Sequence, residues 1–493
     1  MSQSDSGRWA ELPQGEPSAS DDSAGVSTLP AQLPVSQLPA VSGGTATLAG
    51  TLAEDPARPR PATKSTSKVG GLYRAVWRWH FYAGLLTAPI LWVIALTGAM
   101  YAFKTELECW KDRDVLFVEP QAARLNYDEL ATLAGQHLEK IEGIAAFNDP
   151  RRTVRFVGHR KSAAPPTKGR GHDVLWLNPY TGDMLDLRDE SQDFFEIVLD
   201  LHRSLMLGTT GRVLSELVTS WTVILLLTGA YLWWPRGKKN VGVWLPRMRG
   251  PLYSILRDWH AVAGAYLLPI AILVTFTGLF FTVVWGSAFN ATVQKAGHWA
   301  PQWFVPVKSE DGKPGDTPAS LAQVIPAMLA LGNPDDCLLF RNVPDTGLAH
   351  RAFLIRDEDK YSLRSVVVDR YSGRVMNVAG VPDIPALYQL RVLAVSIHMG
   401  KILGTPTKIL ALLASLGVFG LSVTGLWMWW KRRPRGRSGF PREPESGAVP
   451  AWGWLIVIVT SLIMPVAGAS ILLFGLGELL LGALRRRKSP AAV

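Results

Sequence analysis

Four uninterrupted apolar runs set the limits on what this chain can become. They cover about residues 76 to 103, 212 to 234, 258 to 285 and 406 to 430. A run of about 20 apolar residues crosses a hydrocarbon layer of roughly 30 Å. A membrane α-helical protein is therefore expected, and 19 tryptophans with 48% hydrophobic residues agree with that class. The formal net charge of +10 does not point to nucleic acid, because its placement argues otherwise. Basic residues cluster beside the runs, as in "PRGKK" (235 to 239) and "KRRPRGR" (431 to 437). Lys64, Lys68, Arg74 and Arg78 precede the first run; Arg236, Lys238, Lys239, Arg247, Arg249 and Arg257 lie between the second and third. The positive-inside rule assigns both places to the cytoplasm. The two long connections, about 105 to 195 and 287 to 390, then face the opposite side, the periplasm in a Gram-negative cell.

The runs repeat. "RWHFYAGLLTAPILWVIALTG" (78 to 98) lies over "DWHAVAGAYLLPIAILVTFTG" (258 to 278) without a gap and shares eight residues with it. The stretch 201 to 234 lies over 397 to 430 in the same way, with eleven identities that include His202/His398, Thr228/Thr424 and Gly229/Gly425. Both long connections carry strand-like alternation, as in "RTVRFVG" and "SVVVDRYSGRVMNV", and each holds a similar turn, "NPYTGD" and "DRYSGR". The expected fold is thus a four-helix core made from a duplicated unit of span, outer α+β domain and span, related by a pseudo-two-fold axis along the membrane normal.

The chain accordingly divides into a disordered cytoplasmic tail (1–70), a first span (71–104), an outer domain (105–195), and an outer-face helix with a second span (196–236). A cytoplasmic loop (237–256), a third span (257–286), a second outer domain (287–385), and an outer-face helix with a fourth span (386–431) follow. A basic linker (432–451) leads to an additional apolar segment (452–484). The tail lacks the basic start and apolar core of a cleavable signal peptide, so the first span is expected to be an uncleaved anchor. Basic residues at both ends of 452–484 suit a hairpin, while halves of about 16 residues are short for two crossings; its topology stays open. Cys109 and Cys337 belong to no CxxC or CxxCH motif, which leaves iron–sulfur, structural zinc and covalently attached haem without support. They are either one disulfide outside the membrane or, as expected here, two unpaired thiols.

Four of the nine histidines sit at equivalent repeat positions beside spans. His80 and His260 open the first and third, near the cytoplasmic face; His202 and His398 precede the second and fourth, near the outer face. The other five are scattered in the connections, with no spacing that suggests a metal site. Gly84 and Gly264 follow their histidines by one helical turn on the same face. Gly98 and Gly278 follow five turns on, about 27 Å along that face. Gly229 and Gly425 lie near the cytoplasmic ends of the second and fourth spans. Two layers result, each with two histidines and small-residue gaps that admit a flat ligand. Haem b fits: two opposed imidazoles saturate its iron. A single tetrahedral metal needs all four imidazoles within a few ångströms, which this separation excludes. Two haem b groups are expected, one held by His80 with His260 and one by His202 with His398. Arg78, Arg257, Arg203 and Lys401 lie near enough in sequence to meet haem propionates.

The WHxxxG start, the "HRSLMLG" segment, the "TGAYLWWPR" ending and the "NPYTGD" turn resemble the PepSY-associated transmembrane proteins, a PiuB-like bacterial inner-membrane family that includes ferrisiderophore reductases. The resemblance covers about residues 71 to 436. It implies periplasmic PepSY domains and two b haems ligated at His80, His260, His202 and His398. It supports electron transfer more than any one substrate.

The function expected is a di-haem oxidoreductase of the inner membrane, with its N-terminus in the cytoplasm and a ferric siderophore or another periplasmic acceptor as partner. No G-x-G-x-x-G follows a strand, so the donor is expected to be quinol or another protein. No acid–base or nucleophilic constellation is visible; the protein's part is to hold and tune cofactors. Two rivals belong to other classes: a PepSY-domain regulatory or binding protein without redox activity, and a siderophore or metal transporter, which calls for charged or polar residues in the middle of the spans, whereas the acidic candidate, Glu216, lies near an outer end.

Overall fold

A computed structural model describes residues 71–161, 172–237, 240–312, 315–341, 345–434, 436, 439–441 and 451–488. The expected disordered tail, Lys238 and Lys239 of the first basic loop, and most of the 432–451 linker lie outside the described residues.

Helix α1 (Gly71–Tyr101) is followed by the short α2 (Lys104–Lys111) and α3 (Arg113–Leu116), then by α4 (Tyr127–His137). Strands β1 (Leu138–Phe147), β2 (Val154–Arg160), β3 (Asp173–Leu177) and β4 (Met184–Asp189) come next, and α5 (Phe194–Ser204) leads back into α6 (Gly208–Trp233). The second half begins with α7 (Leu252–Gly278), α8 (Val284–Lys295), α9 (Pro301–Phe304) and α10 (Leu321–Leu329). It continues through β5 (Asp336–Arg341), β6 (His350–Arg356), β7 (Asp359–Val368) and β8 (Val375–Ala379) to α11 (Ala386–His398) and α12 (Thr405–Arg432). Helices α13 (Ala451–Ile463) and α14 (Pro465–Lys488) close the described chain.

Among the described residues, four helices are long and apolar enough to cross a membrane: α1, α6, α12 and the stretch Leu252–Phe281 built on α7. Both α1 and α7 pack against α6 and against α12. The four therefore form a ring in which α1 stands opposite α7 and α6 opposite α12. Helix α5 lies on α1 and α11 on α7, each joined to the next span by a tight turn. The first turn places Leu205 and Met206 at φ 52° and 58°, a left-handed conformation that reverses the chain within a few residues. Gly211 follows directly, and a Cβ there would fall 1.6 Å from the Ser204 carbonyl oxygen. Only glycine permits that approach.

At one end of the bundle the connections build an antiparallel sheet in the order β4-β3-β2-β1-β5-β6-β7-β8. The two connections, read above as two small α+β domains, meet along β1 and β5, from Gly143↔Arg341 to Phe147↔Cys337. Pairing these two inner edges leaves neither exposed as a template for aggregation. The resulting eight strands share one core, in which Leu130, Phe156 and Leu175 of the first half are buried with Ile325, Met328 and Leu354 of the second. Local sequence explains the helices that cover it. Asn126 caps α4 by accepting from the Asp128 and Glu129 amides, and Glu129 returns a bond to the Asn126 amide, a capping box. Asp128 also accepts from the Leu321 and Ala322 amides at 2.9 Å each, so one carboxylate ties α4 to the positive end of α10.

The two similar turns have the same local geometry. Gly182 and Gly373 donate to the Asn178 and Asp369 carbonyls from φ 78° and 70°. The segment 452–484 folds back on itself at Met464–Pro465: a Cβ on Gly468 would lie 2.7 Å from Ser461 Cβ, seven residues earlier. It packs on the outside of the ring, where Trp221 Nε1 donates to Ser470 Oγ at 3.0 Å. Among the described residues, neither Cys109 nor Cys337 takes part in a disulfide.

Candidate functional site

Helices α1 and α7 each bring a histidine and a glycine to the histidine layers, and α6 and α12 each bring a glycine. Away from the sheet, His80 of α1 and His260 of α7 face each other across the ring with centres 6.4 Å apart and planes at 90°. At the sheet end, the short helices α5 and α11 bring His202 and His398 to 6.3 Å. The structure thus joins residues from equivalent positions of the two halves. His202 contacts Ile94 and His398 contacts Val274, each fourteen residues along from His80 and His260. The layers are therefore about 21 Å apart at 1.5 Å per residue.

Hydrogen bonds fix the tautomer of all four rings. His80 Nδ1 lies 2.9 Å from Thr228 Oγ1, and His260 Nδ1 lies 3.0 Å from Thr424 Oγ1. Each threonine hydroxyl already directs its one proton at a carbonyl a turn earlier, Ile224 at 2.8 Å and Gly420 at 2.8 Å. It can then only accept, so Nδ1 carries the proton. The pair at the sheet end reaches the same state differently: His202 Nδ1 donates to the Ile94 carbonyl at 2.9 Å, and His398 Nδ1 to that of Val274 at 2.8 Å. In each ring the Nε2 lone pair is left available. Among the described residues no hydrogen-bond donor reaches any of the four Nε2 atoms. A metal-ligating imidazole oriented through its other nitrogen has this arrangement.

Four of the six glycines lie directly against the histidine rings. A Cβ on Gly98 would lie 2.9 Å from His202 Cε1, and on Gly278 2.8 Å from His398 Cε1. For Gly229 and Gly425 the nearest atoms are His80 Cε1 at 3.4 Å and His260 Cε1 at 3.5 Å. Each gap thus admits an imidazole from the neighbouring helix, close enough for its Nδ1 to reach a threonine or a carbonyl. Gly84 and Gly264 face Leu225 and Leu421 instead, where they serve helix packing.

A family comparison decides what kind of protein carries this bundle. The family model of the PepSY-associated TM region matches residues 77–432. The chain belongs to that family. No curated protein matches it. As a PepSY-associated transmembrane protein, its matched region begins three residues before His80 and ends with the last residue of α12, so it contains all four histidines.

The cations expected beside a ligand divide. Lys401 is buried against Glu358 and lies 3.5 Å from Thr105 Oγ1; that ion pair, and not a bound carboxylate, accounts for its burial. Arg257 pairs with the buried Asp258 at 2.7 Å. Arg78 keeps the possibility open, because its Nε is buried without a hydrogen-bond partner two residues from His80. Glu216, the acidic residue on which a transport path would depend, is fully buried and accepts from the Val284 and Trp285 amides at 2.8 Å each. It caps α8, which is a structural duty. Sequence reasoning missed the acidic hairpin tip at Asp357 and Glu358 that docks on Lys401 and Lys408 at the sheet end of α12; nothing in its pattern distinguishes it from a solvated turn.

Proposed function

We propose that this PepSY-associated transmembrane protein is a di-haem b oxidoreductase of the bacterial inner membrane. It moves electrons from the cytoplasmic side or the quinol pool to a periplasmic acceptor, for which a ferric siderophore is the favoured candidate. The carrying observation is the donor set: two facing pairs of imidazoles, every Nδ1 proton committed and every Nε2 lone pair uncommitted. Ring-centre separations of 6.4 and 6.3 Å would leave room for one metal ion between the two imidazoles of each pair.

In this reading His80 with His260 would hold one haem, and His202 with His398 the other. Arg78 is the cation whose free Nε suits a propionate. Haem supplies one-electron transfer at its iron, set in potential by the basicity of the axial imidazoles. The protein's work is to hold each imidazole in one tautomer and exclude water from the ring interior. Repetition of the helix–domain–helix unit would make the two ligands within each site equivalent, and the basic residues beside the spans support a cytoplasmic N-terminus with the sheet on the periplasmic side.

The test is an absorption spectrum of the purified full chain, oxidised and then reduced with dithionite. Two b-type haems per chain are expected, and a folded but colourless preparation from haem-replete cells would overturn the reading. Reoxidation of the reduced protein by a ferric siderophore, compared with a periplasmic redox protein, then assigns the acceptor.

A further inference from the structure

Two histidines that sequence spacing had left scattered come together on the outer sheet. His159 on β2 and His172, immediately before β3, converge with Glu142 of β1, and one ligand atom from each lies within 4.8 Å of the others. Glu142 Oε1 is 3.7 Å from His159 Nε2, and Glu142 Oε2 is 3.2 Å from His172 Nδ1. Two ligands bound to one ion at about 2.0 Å sit roughly 3.3 Å apart at a tetrahedral angle. The spacing is therefore that of a metal site with only small adjustments.

The backbone is built to present this group. Register along β1 and β2 slips between Ile141 and Gly143, so Glu142 is the extra residue of a β-bulge. Bulges of this kind re-aim a side chain. Gly158 on the partner strand makes the bulge possible, since a Cβ there would fall 1.9 Å from the Lys140 carbonyl oxygen. The residues after the two histidines are locked to each other: Arg160 Nε donates to Asp173 Oδ1 at 2.6 Å, and the Arg160 amide donates to Asp173 Oδ2 at 2.9 Å. Both imidazoles thus stand on a braced pair of strands, as a preorganised ligand set requires. Lys140 Nζ sits 2.8 Å from Glu142 Oε1 and neutralises the carboxylate that a metal would neutralise. Its side chain is 59% exposed and is free to swing into water when a cation enters.

We infer that Glu142, His159 and His172 form a binding site for one divalent first-row transition ion, separate from the membrane histidines. Two imidazoles and one carboxylate suit a borderline ion such as zinc, and three protein ligands leave a position for water. The site stands whether or not the bundle holds haem.

Equilibrium dialysis of zinc against the detergent-solubilised full chain, without a polyhistidine tag, tests it. The unaltered protein is expected to bind one zinc per chain saturably, with zinc raising its thermal midpoint. His159→Gln and Glu142→Gln, on different strands, should each weaken binding at least tenfold. His159 is about half exposed, so its replacement leaves the sheet intact, and the midpoint without zinc verifies that. Absence of saturable binding in the unaltered chain, or unchanged affinity in folded His159→Gln, would overturn the assignment.

Discussion

The Nδ1 atom of His398 lies 2.8 Å from the carbonyl oxygen of Val274, and the Gly278 position on the same helix faces His398 Cε1 at a Cβ distance of 2.8 Å. The two facts are one device, because the ring reaches the carbonyl only across a glycine. Gly278→Ala must push the imidazole away, at an overpacking cost of about 1–3 kcal/mol. On the proposed di-haem reading, loss of haem from the sheet-proximal layer is the expected outcome. Gly84→Ala, whose Cβ would meet Leu225 at an ordinary 3.9 Å, should bind as the unaltered chain does. Cofactor content of the two purified variants checks this.

The far layer uses side chains where the near layer uses backbone, and that difference is open to mutation. Thr228→Val keeps the volume but removes the acceptor of His80 Nδ1–H. A buried N–H left unmet costs about 1–3 kcal/mol, and loss of such an outer partner weakens metal affinity about 10- to 100-fold. If each layer holds a haem as proposed, a potentiometric titration of Thr228→Val should show one transition displaced, that of the His80–His260 layer, with the other unmoved. Displacement of both would mean that the layers are coupled through the helices.

How far the sequence announces this arrangement depends on what carries the signal. Apolar runs of span length and a histidine repeated at fixed offsets are one-dimensional facts, and they survive folding: α1, α6, α7 and α12 lie where the runs lie. The threonines were visible too, as Thr-Gly steps. Ile94 and Val274 were not, since any residue offers a carbonyl and only the geometry of α5 and α11 selects these two. Pairing of β1 with β5 was equally hidden, because the stretches that pair, residues 143–147 and 337–340, are buried without alternation, and such a run cannot name a partner. The Glu142 cluster escaped for the same reason: a bulge redirects a side chain without leaving a spacing.

Acid should weaken the sheet through His350. Burial, and then the Arg370 charge, push its imidazole down to about 4 from an ordinary 6.5, and its Nδ1 is buried without a hydrogen-bond partner. Between those values the unfolded chain holds a proton that the folded chain refuses, so stability is full above pH 6.5 and falls as pH drops toward 4. His350→Leu removes this titration beside Phe340, whose ring is 5.2 Å away. Thermal midpoints measured from pH 7 to 4 should fall less steeply in the variant; equal slopes would remove His350 from the account.

The hairpin between β6 and β7 makes the last prediction, because it binds the sheet to the bundle with buried charge. Asp357 and Glu358 adopt φ 43° and 56° at its tip, a strained conformation for residues other than glycine. The turn drives Glu358 against Lys401, three residues after His398, with both side chains at most 2% exposed. Asp357 meets Lys408 at 2.9 Å, and Lys408 also holds Glu106 at 2.8 Å. Removing one member of such a pair strands the other in a dry site, at a cost of about 3–5 kcal/mol, while removing both together costs far less. Lys401→Met should therefore lower the thermal midpoint strongly, and Lys401→Met with Glu358→Gln should recover much of the loss. Non-additivity in that double-mutant cycle is the signature of a coupled pair. Simple addition of the two effects would mean that the hairpin tip and the sheet end of α12 are held together by something other than this ion pair.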